Sequence, residues 1–178
     1  MIINKKVTFI MLFIFAVGLC SGAFFEIYME GSGKTQLMDI ISGLFSGSPS
    51  GSFFSIFWNS FRTWLIMLLI IFVVPYVPPF AVICPFLPMI KGLTLGFSAT
   101  MLVETFGIKG SWYIISTILP QNLLQIPILC MLIGLSMSKT TKKTLHSDAR
   151  LYLTYYGGGA LLIFISCLLE AFLMQFSL

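Results

Sequence analysis

Charge is what this sequence has least of. Only 9% of its 178 residues are charged, whereas a soluble domain carries about 25%. Hydrophobic residues make up 58% of the chain, and the mean hydropathy is +1.01. A chain of this composition could not cover a water-facing surface with polar groups, so it is not an ordinary soluble domain and lipid is the expected solvent. The predicted fold class is all-α, a polytopic membrane protein.

The sequence is equally poor in residues that carry catalysis or hold metal ions. Its single histidine, His146, falls in a basic loop where a solvated side chain is expected. The four cysteines lie far apart without C-x-x-C spacing, as expected of small apolar side chains rather than ligands or disulfides. No nucleophile stands beside a base, and no carboxylate pair is placed for acid–base chemistry. We therefore expect no enzymatic activity, no cofactor and no metal ion.

One short motif points to nucleotide binding but is incomplete. The segment GSGKT at residues 31–35 ends like a phosphate-binding loop. However, Tyr28 stands where the motif requires its first glycine, and no strand precedes it. We interpret the segment as a polar turn and expect no nucleic-acid partner.

What the sequence does contain is long apolar runs. A bilayer core is crossed by about 20 mostly apolar residues. Five predicted spans, in one membrane domain, cover residues 7–25, 64–76, 80–103, 112–135 and 151–176. The second span is expected to begin earlier, within FWNSFRTW.

The basic residues next to the spans predict the orientation in the membrane. Cytoplasmic loops carry an excess of Lys and Arg. One side of the predicted bundle holds Lys5, Lys6, Lys139, Lys142, Lys143 and Arg150, the last four in a loop at residues 136–150. The other side holds only Lys34, Arg62 and Lys109, with the acids Glu26, Glu30, Asp39, Glu104 and Glu170. The N-terminus is therefore predicted to be cytoplasmic and the C-terminus to lie outside.

The only sizeable loop, at residues 35–61, is amphipathic and predicted to lie on the outer side. Its apolar residues recur at helical spacing, which is typical of a helix lying on a membrane surface. Its second half carries an aromatic stripe of Phe53, Phe54, Phe57, Trp58 and Phe61. Two interpretations are open for the stripe: an interfacial anchor leading into the second span, or a docking surface for a partner outside the cytoplasm.

The third span contains a charge near its middle, at Lys91. A charged side chain at the bilayer centre costs about 2.5 to 3.5 kcal/mol on insertion scales, so it normally faces the protein interior and marks function. Alternatively, Pro85 and Pro88 break the span and let Lys91 reach an interface. Just beyond it, Gly92 and Gly96 are one helical turn apart and would let a neighbouring helix approach closely.

The fourth span combines amides with helix-breaking residues. Gln121 and Gln125 are four residues apart and share a helix face, with Asn122 beside them. Pro120 and Pro127 each remove a backbone hydrogen bond. Freed carbonyls and amides are tolerated in a membrane only against protein or water. This helix is therefore expected to face other helices, either as a structural polar seam or as the lining of a cavity.

These residues also carry a family resemblance. The segments FWNSFR, KGLTLGF and ILPQNLLQIPILCMLIGLSMS, within residues 53–137, resemble the stage II sporulation protein M family. By position, Pro120 and Pro127 match its Leu-Pro-His-x-x-x-Glu-x-Pro signature, while Gln121 and Gln125 stand at the histidine and the glutamate. Lys91 stands at the asparagine of its Asn-Gly-x-x-x-Gly pattern.

The resemblance implies a non-enzymatic scaffold of the cell membrane. Family members that act in sporulation work with peptidoglycan hydrolases outside the membrane during engulfment. Related proteins occur beside genes for circular bacteriocins, which implies the alternative role of export or immunity with an ABC-type ATPase. Besides membrane lipid, other membrane proteins and a second copy of the chain are candidate partners.

Overall fold

The described part of the chain is almost entirely helical, and it confirms the all-α prediction. The computed structural model describes residues 5–29, 31, 33–39, 53–141 and 149–176. The α-helices are α1 (Lys5–Ile27), α2 (described over residues 33–39), α3 (Phe53–Val73), α4 (Phe86–Phe106), α5 (Ile108–Tyr113), α6 (Leu119–Thr141) and α7 (Ala149–Phe176). A 3₁₀ turn at Pro78–Val82 precedes α4, and a π-helix at Ile114–Ile118 joins α5 to α6. Five helices, α1, α3, α4, α6 and α7, are long and apolar enough to cross a membrane.

The boundaries of three predicted spans need correction. Residues 53–61, assigned to the outer segment, form the first turns of spanning helix α3, which ends at Val73 rather than at residue 76. The third span starts at Phe86 rather than at residue 80, because the proline-rich stretch before it forms a 3₁₀ turn. The α-helix of the fourth span is α6, which begins at Leu119 and extends to Thr141, into the predicted basic loop. Residues 40–52 and 142–148 of the two predicted loops lie outside the described residues.

Helices α1 and α4 form the most extensive helix pair of the described chain, held by glycines on both sides. A Cβ atom on Gly92 would fall 2.8 Å from the Leu19 nitrogen, and one on Gly96 would fall 3.1 Å from the Ala23 nitrogen. On α1, a Cβ atom on Gly22 would overlap the backbone of α4. The two backbones are therefore in direct contact, as small residues permit between membrane helices. Gly92 and Gly96 do bring a neighbouring helix close, and that helix is α1.

Helices α3, α6 and α7 pack side by side around an aliphatic core. Buried members of this core include Ile71, Leu129, Ile133 and Ile163. Two tyrosines of α7 fasten it to its neighbours: Tyr156 Oη donates to the Leu68 carbonyl of α3, and Tyr152 Oη lies 3.2 Å from Ser136 Oγ of α6. The hydroxyl groups of these two tyrosines are therefore satisfied across helix interfaces.

The helix ends sort into two opposite ends of the bundle. At one end, a Cβ atom on Gly134 of α6 would lie 2.6 Å from Thr8 Oγ1, so the start of α1 lies beside the last turns of α6. The two basic segments of the sequence thus border the same end. At the other end, α4 turns into α5 through Gly107 alone, whose φ of 58° favours glycine. Which end faces the cytoplasm stays a prediction.

Candidate functional site

A polar cavity lies between α3, α4, α6 and α7. Its volume is about 860 Å³. The polar and aromatic side chains at its wall include Asn59, Ser60, Trp64, Lys91, Gln121, Asn122, Gln125 and Glu170. Because α3 and α6 begin where α7 ends, the cavity occupies the end of the bundle opposite the Thr8–Gly134 contact. All four residues of the predicted intramembrane polar site line this one cavity.

The two charged side chains of the cavity have separate partners. Lys91 Nζ lies 4.5 Å from the centre of the Trp64 ring, a cation–π arrangement. Glu170 Oε2 accepts a hydrogen bond of 2.5 Å from Ser60 Oγ. Among the described ion pairs none joins Lys91 to Glu170, so their charges share the cavity without a contact within 4.0 Å. The cavity therefore offers one positive and one negative group.

The amides of α6 differ in how far they are satisfied. Asn122 Nδ2 donates to the Ile118 carbonyl at 2.7 Å. Gln121 and Gln125 are 6% and 2% exposed, and neither Gln121 Oε1 nor Gln125 Nε2 has a hydrogen-bond partner among the described residues. Gln121 Oε1 therefore accepts no hydrogen bond from Lys91, although both side chains line the cavity. Two buried amides without a full set of partners are unusual in a folded protein.

The prolines of α6 fit the irregular backbone beside the cavity. The wide π-helical turn at Ile114–Ile118 ends just before Pro120, and the Leu119 amide donates to the Ile114 carbonyl. Pro127 lies inside α6, which continues through it to Thr141. Such π-turns often accompany functional sites. The widened turn and Pro120 lead directly into the helix face that carries Gln121 and Gln125.

A second polar cluster ties α2 to the same end of the bundle. Lys34 Nζ lies 2.8 Å from Glu104 Oε2 and 3.3 Å from Glu26 Oε1, so Glu104 is the closer partner. Hydrogen bonding to Glu104 raises the pKa of Lys34, burial opposes this rise, and Glu26 adds to it. The GSGKT segment is therefore only partly a turn: Gly31 has a φ of 100°, whereas Lys34 belongs to α2 and pairs with α1 and α4.

Sequence reasoning missed two important residues of the cavity. Glu170 was counted as an outer acid, although it falls within the predicted fifth span and a carboxylate in a span is itself a signal. Trp64 is the first residue of the predicted second span, and no sequence pattern pairs it with Lys91. In the described part of the chain, histidine, cysteine and carboxylate side chains form no group of three that could hold a metal ion.

The aromatic stripe divides between internal packing and exposure. Phe57 and Phe61 both meet the Phe164 ring of α7 edge-on, with ring centres 5.5 Å apart in each pair. Phe54 and Trp58 stack on each other, with ring centres 6.2 Å apart. They remain 67% and 54% exposed. One half of the stripe thus fixes α3 against α7, and the other half lies on the outside next to the cavity.

Fold and site define the class: a helical membrane protein with an open polar cavity between its helices. A family model described as Stage II sporulation protein M matches residues 11–174. The chain therefore belongs to this family, and the resemblance seen over residues 53–137 extends to nearly the whole chain. No curated protein and no solved structure matches it.

Proposed function

We propose that the protein is a non-enzymatic scaffold of the cell membrane that holds peptidoglycan-degrading partners on its outer side. Membership of the stage II sporulation protein M family across residues 11–174 supports this role. Nothing in the proposal requires the chain itself to catalyse a reaction. Its task is to present a rigid docking surface.

The observation that carries the proposal is the exposed stack of Phe54 and Trp58. Aromatic side chains are enriched at protein interfaces because they bury a large area with few rotatable bonds. Phe57 and Phe61, one turn away, are anchored on Phe164, so the exposed pair stands on a rigid helix. By the predicted orientation, this surface is at the outer end of the bundle, within reach of an extracytoplasmic protein.

A pulldown from native membranes in mild detergent tests the proposal. The unmodified protein should capture a peptidoglycan-degrading enzyme, and the double variant Phe54→Ala, Trp58→Ala should lose it. Trp112→Ala is the matched control, since Trp112 is 72% exposed but lies on α5. Equal capture by the double variant would refute the docking surface, and capture of no such enzyme would refute the scaffold role.

The alternative is that the protein is the membrane component of a peptide export or immunity system. The observation favouring it is the polar cavity of about 860 Å³, which is larger than helix packing requires. Transport systems place their polar groups in such cavities between spanning helices. In the same pulldown, enrichment of an ABC-type ATPase in place of a hydrolase would decide for this alternative.

A further inference from the structure

We propose that the cavity binds a short peptide with a free carboxylate, the carboxylate lying on Lys91 and the peptide groups on Gln121 and Gln125. Two independent observations support it. One is the pair of amides more than nine-tenths buried with unpartnered atoms. The other is Lys91, a cation in the same cavity with no carboxylate within 4.0 Å. The inference goes beyond the scaffold role, because it concerns a small ligand of the isolated protein.

The amides favour a ligand that both donates and accepts hydrogen bonds. A carboxamide has two donors and an accepting oxygen, and rotation about its last torsion exchanges their positions at little cost. Gln121 and Gln125 lie on one helix face, one turn apart. A peptide group carries one N–H and one C=O, so it can satisfy both side chains. A phosphate ester has acceptors only and would leave an amide oxygen unsatisfied.

The charges favour a single carboxylate over a more highly charged anion. Lys91 Nζ rests on the Trp64 ring, which leaves its N–H groups to donate into the cavity. Glu170, held by Ser60, puts a negative group in the same space and would repel a second negative charge on the ligand. With Lys91 positive and Glu170 negative, one bound carboxylate leaves a single net negative charge in the cavity, whereas a dianion would leave two.

The size of the cavity agrees with a short peptide. Ligand pockets commonly enclose about 300 to 1,000 Å³, and this cavity encloses about 860 Å³. One water occupies about 30 Å³ in the liquid, so a cavity of this size is far larger than the one or few waters that satisfy isolated buried groups. A peptide of a few residues fits the volume and the groups around it.

Tryptophan fluorescence of the purified full chain provides the test, because Trp64 lies in the cavity. The chain has three tryptophans, and a double variant with Trp58→Phe and Trp112→Phe retains Trp64 as its only one. The probe is N-acetyl-trialanine with a free carboxylate, in uncharged detergent. The comparison ligands are the same peptide with a terminal carboxamide and methyl phosphate, which has no hydroxyl group besides its phosphate. We expect saturable binding of the acid and at least about tenfold weaker binding of the carboxamide, because a charge-assisted hydrogen bond is lost.

Substitutions of the cavity residues test where the peptide binds. Binding is measured by calorimetry instead of fluorescence for variants such as Lys91→Met, because Lys91 lies over the Trp64 ring and its loss would change the fluorescence. Lys91→Met should weaken binding by at least about tenfold, and Gln125→Leu by about two- to tenfold. Lys109→Met is the matched control, since Lys109 is exposed on α5, and should leave binding unchanged.

Three results would overturn the proposal: no saturable binding by the folded protein, equal affinity for acid and carboxamide, or methyl phosphate binding as tightly as the peptide acid. The comparison of ligands uses the unmodified cavity, so the test stands even if Lys91→Met fails to fold. No partner protein is needed, so loss of the scaffold role would leave this result intact.

Discussion

Replacing Gln125 by leucine is expected to stabilise the isolated protein. The side chain is 2% exposed, and its Nε2 has no hydrogen-bond partner among the described residues. A buried polar group without a partner costs about 1 to 3 kcal/mol. A hydrogen bond between membrane helices is worth only about 0.6 kcal/mol on average, and we take this smaller value as the lower bound of the cost inside a membrane protein. Leucine has a similar size and no polar atom, so Gln125→Leu should raise the free energy of unfolding by about 0.6 to 3 kcal/mol.

Thermal unfolding in one detergent, without added peptide, measures this change. For a chain of 150–250 residues, 1 kcal/mol shifts Tm by about 2–4 °C, so an increase of roughly 1–12 °C is expected. Asn122→Leu is the matched control on the next residue, because Asn122 already donates to the Ile118 carbonyl at 2.7 Å. That variant should lower Tm. If Gln125→Leu lowered Tm as much as the control, the Gln125 amide would be a satisfied structural seam and our reasoning would be wrong.

Three further predictions concern packing, the charged cluster and orientation. Gly96→Leu should abolish the α1–α4 pair and sharply lower the yield of folded protein. Gly158→Leu is the control and should be tolerated, because no atom lies within 4 Å of the Cβ position at Gly158. Size-exclusion profiles of the two variants make the comparison. Lys34→Met should expose residues 33–39 to hydrogen exchange. In the unmodified protein the protection of residues 33–39 should fall as pH rises through the raised pKa of Lys34, where the ammonium is lost. Protection factors corrected for the base-catalysed intrinsic rate that stay constant over this pH range would contradict this. A reporter fused after Leu178 should be active outside the cytoplasm and one inserted near Thr141 inside it, and the reverse would refute the orientation.

Uniform apolar runs could be read from the sequence with little error. The first span is predicted at residues 7–25 and observed at Lys5–Ile27, because no charged residue interrupts it between Val7 and Phe25. The start of α3 was placed too late, since Asn59, Ser60 and Arg62 look like residues of a membrane surface. Asn59 and Ser60 instead line the cavity, where Ser60 donates a hydrogen bond to Glu170 of α7. The start of α3 therefore depends on contacts with other helices, which the sequence of α3 alone does not reveal.

The sequence predicts the individual polar residues of the cavity but not that they line one cavity. Lys91 and the glutamines stand out because each is polar within an apolar run. Their common location depends on which helices are neighbours, which the periodicity of a single helix does not encode. For the same reason Gly92 was identified as a contact residue, whereas its partners on α1 were not.

The close pairing of α1 with α4 imposes an order on assembly during synthesis. The two helices meet backbone to backbone, yet roughly 60 residues, which include α3, separate Ile27 from Phe86 along the chain. A ribosome takes about 3 to 12 s to translate a segment of this length. Throughout that interval the glycine face of α1 lacks the helix against which it packs in the folded protein. A chain truncated before Phe86 should therefore leave α1 unpaired and available to other helices, which makes the emergence of α4 the step that commits the nascent protein to its own fold.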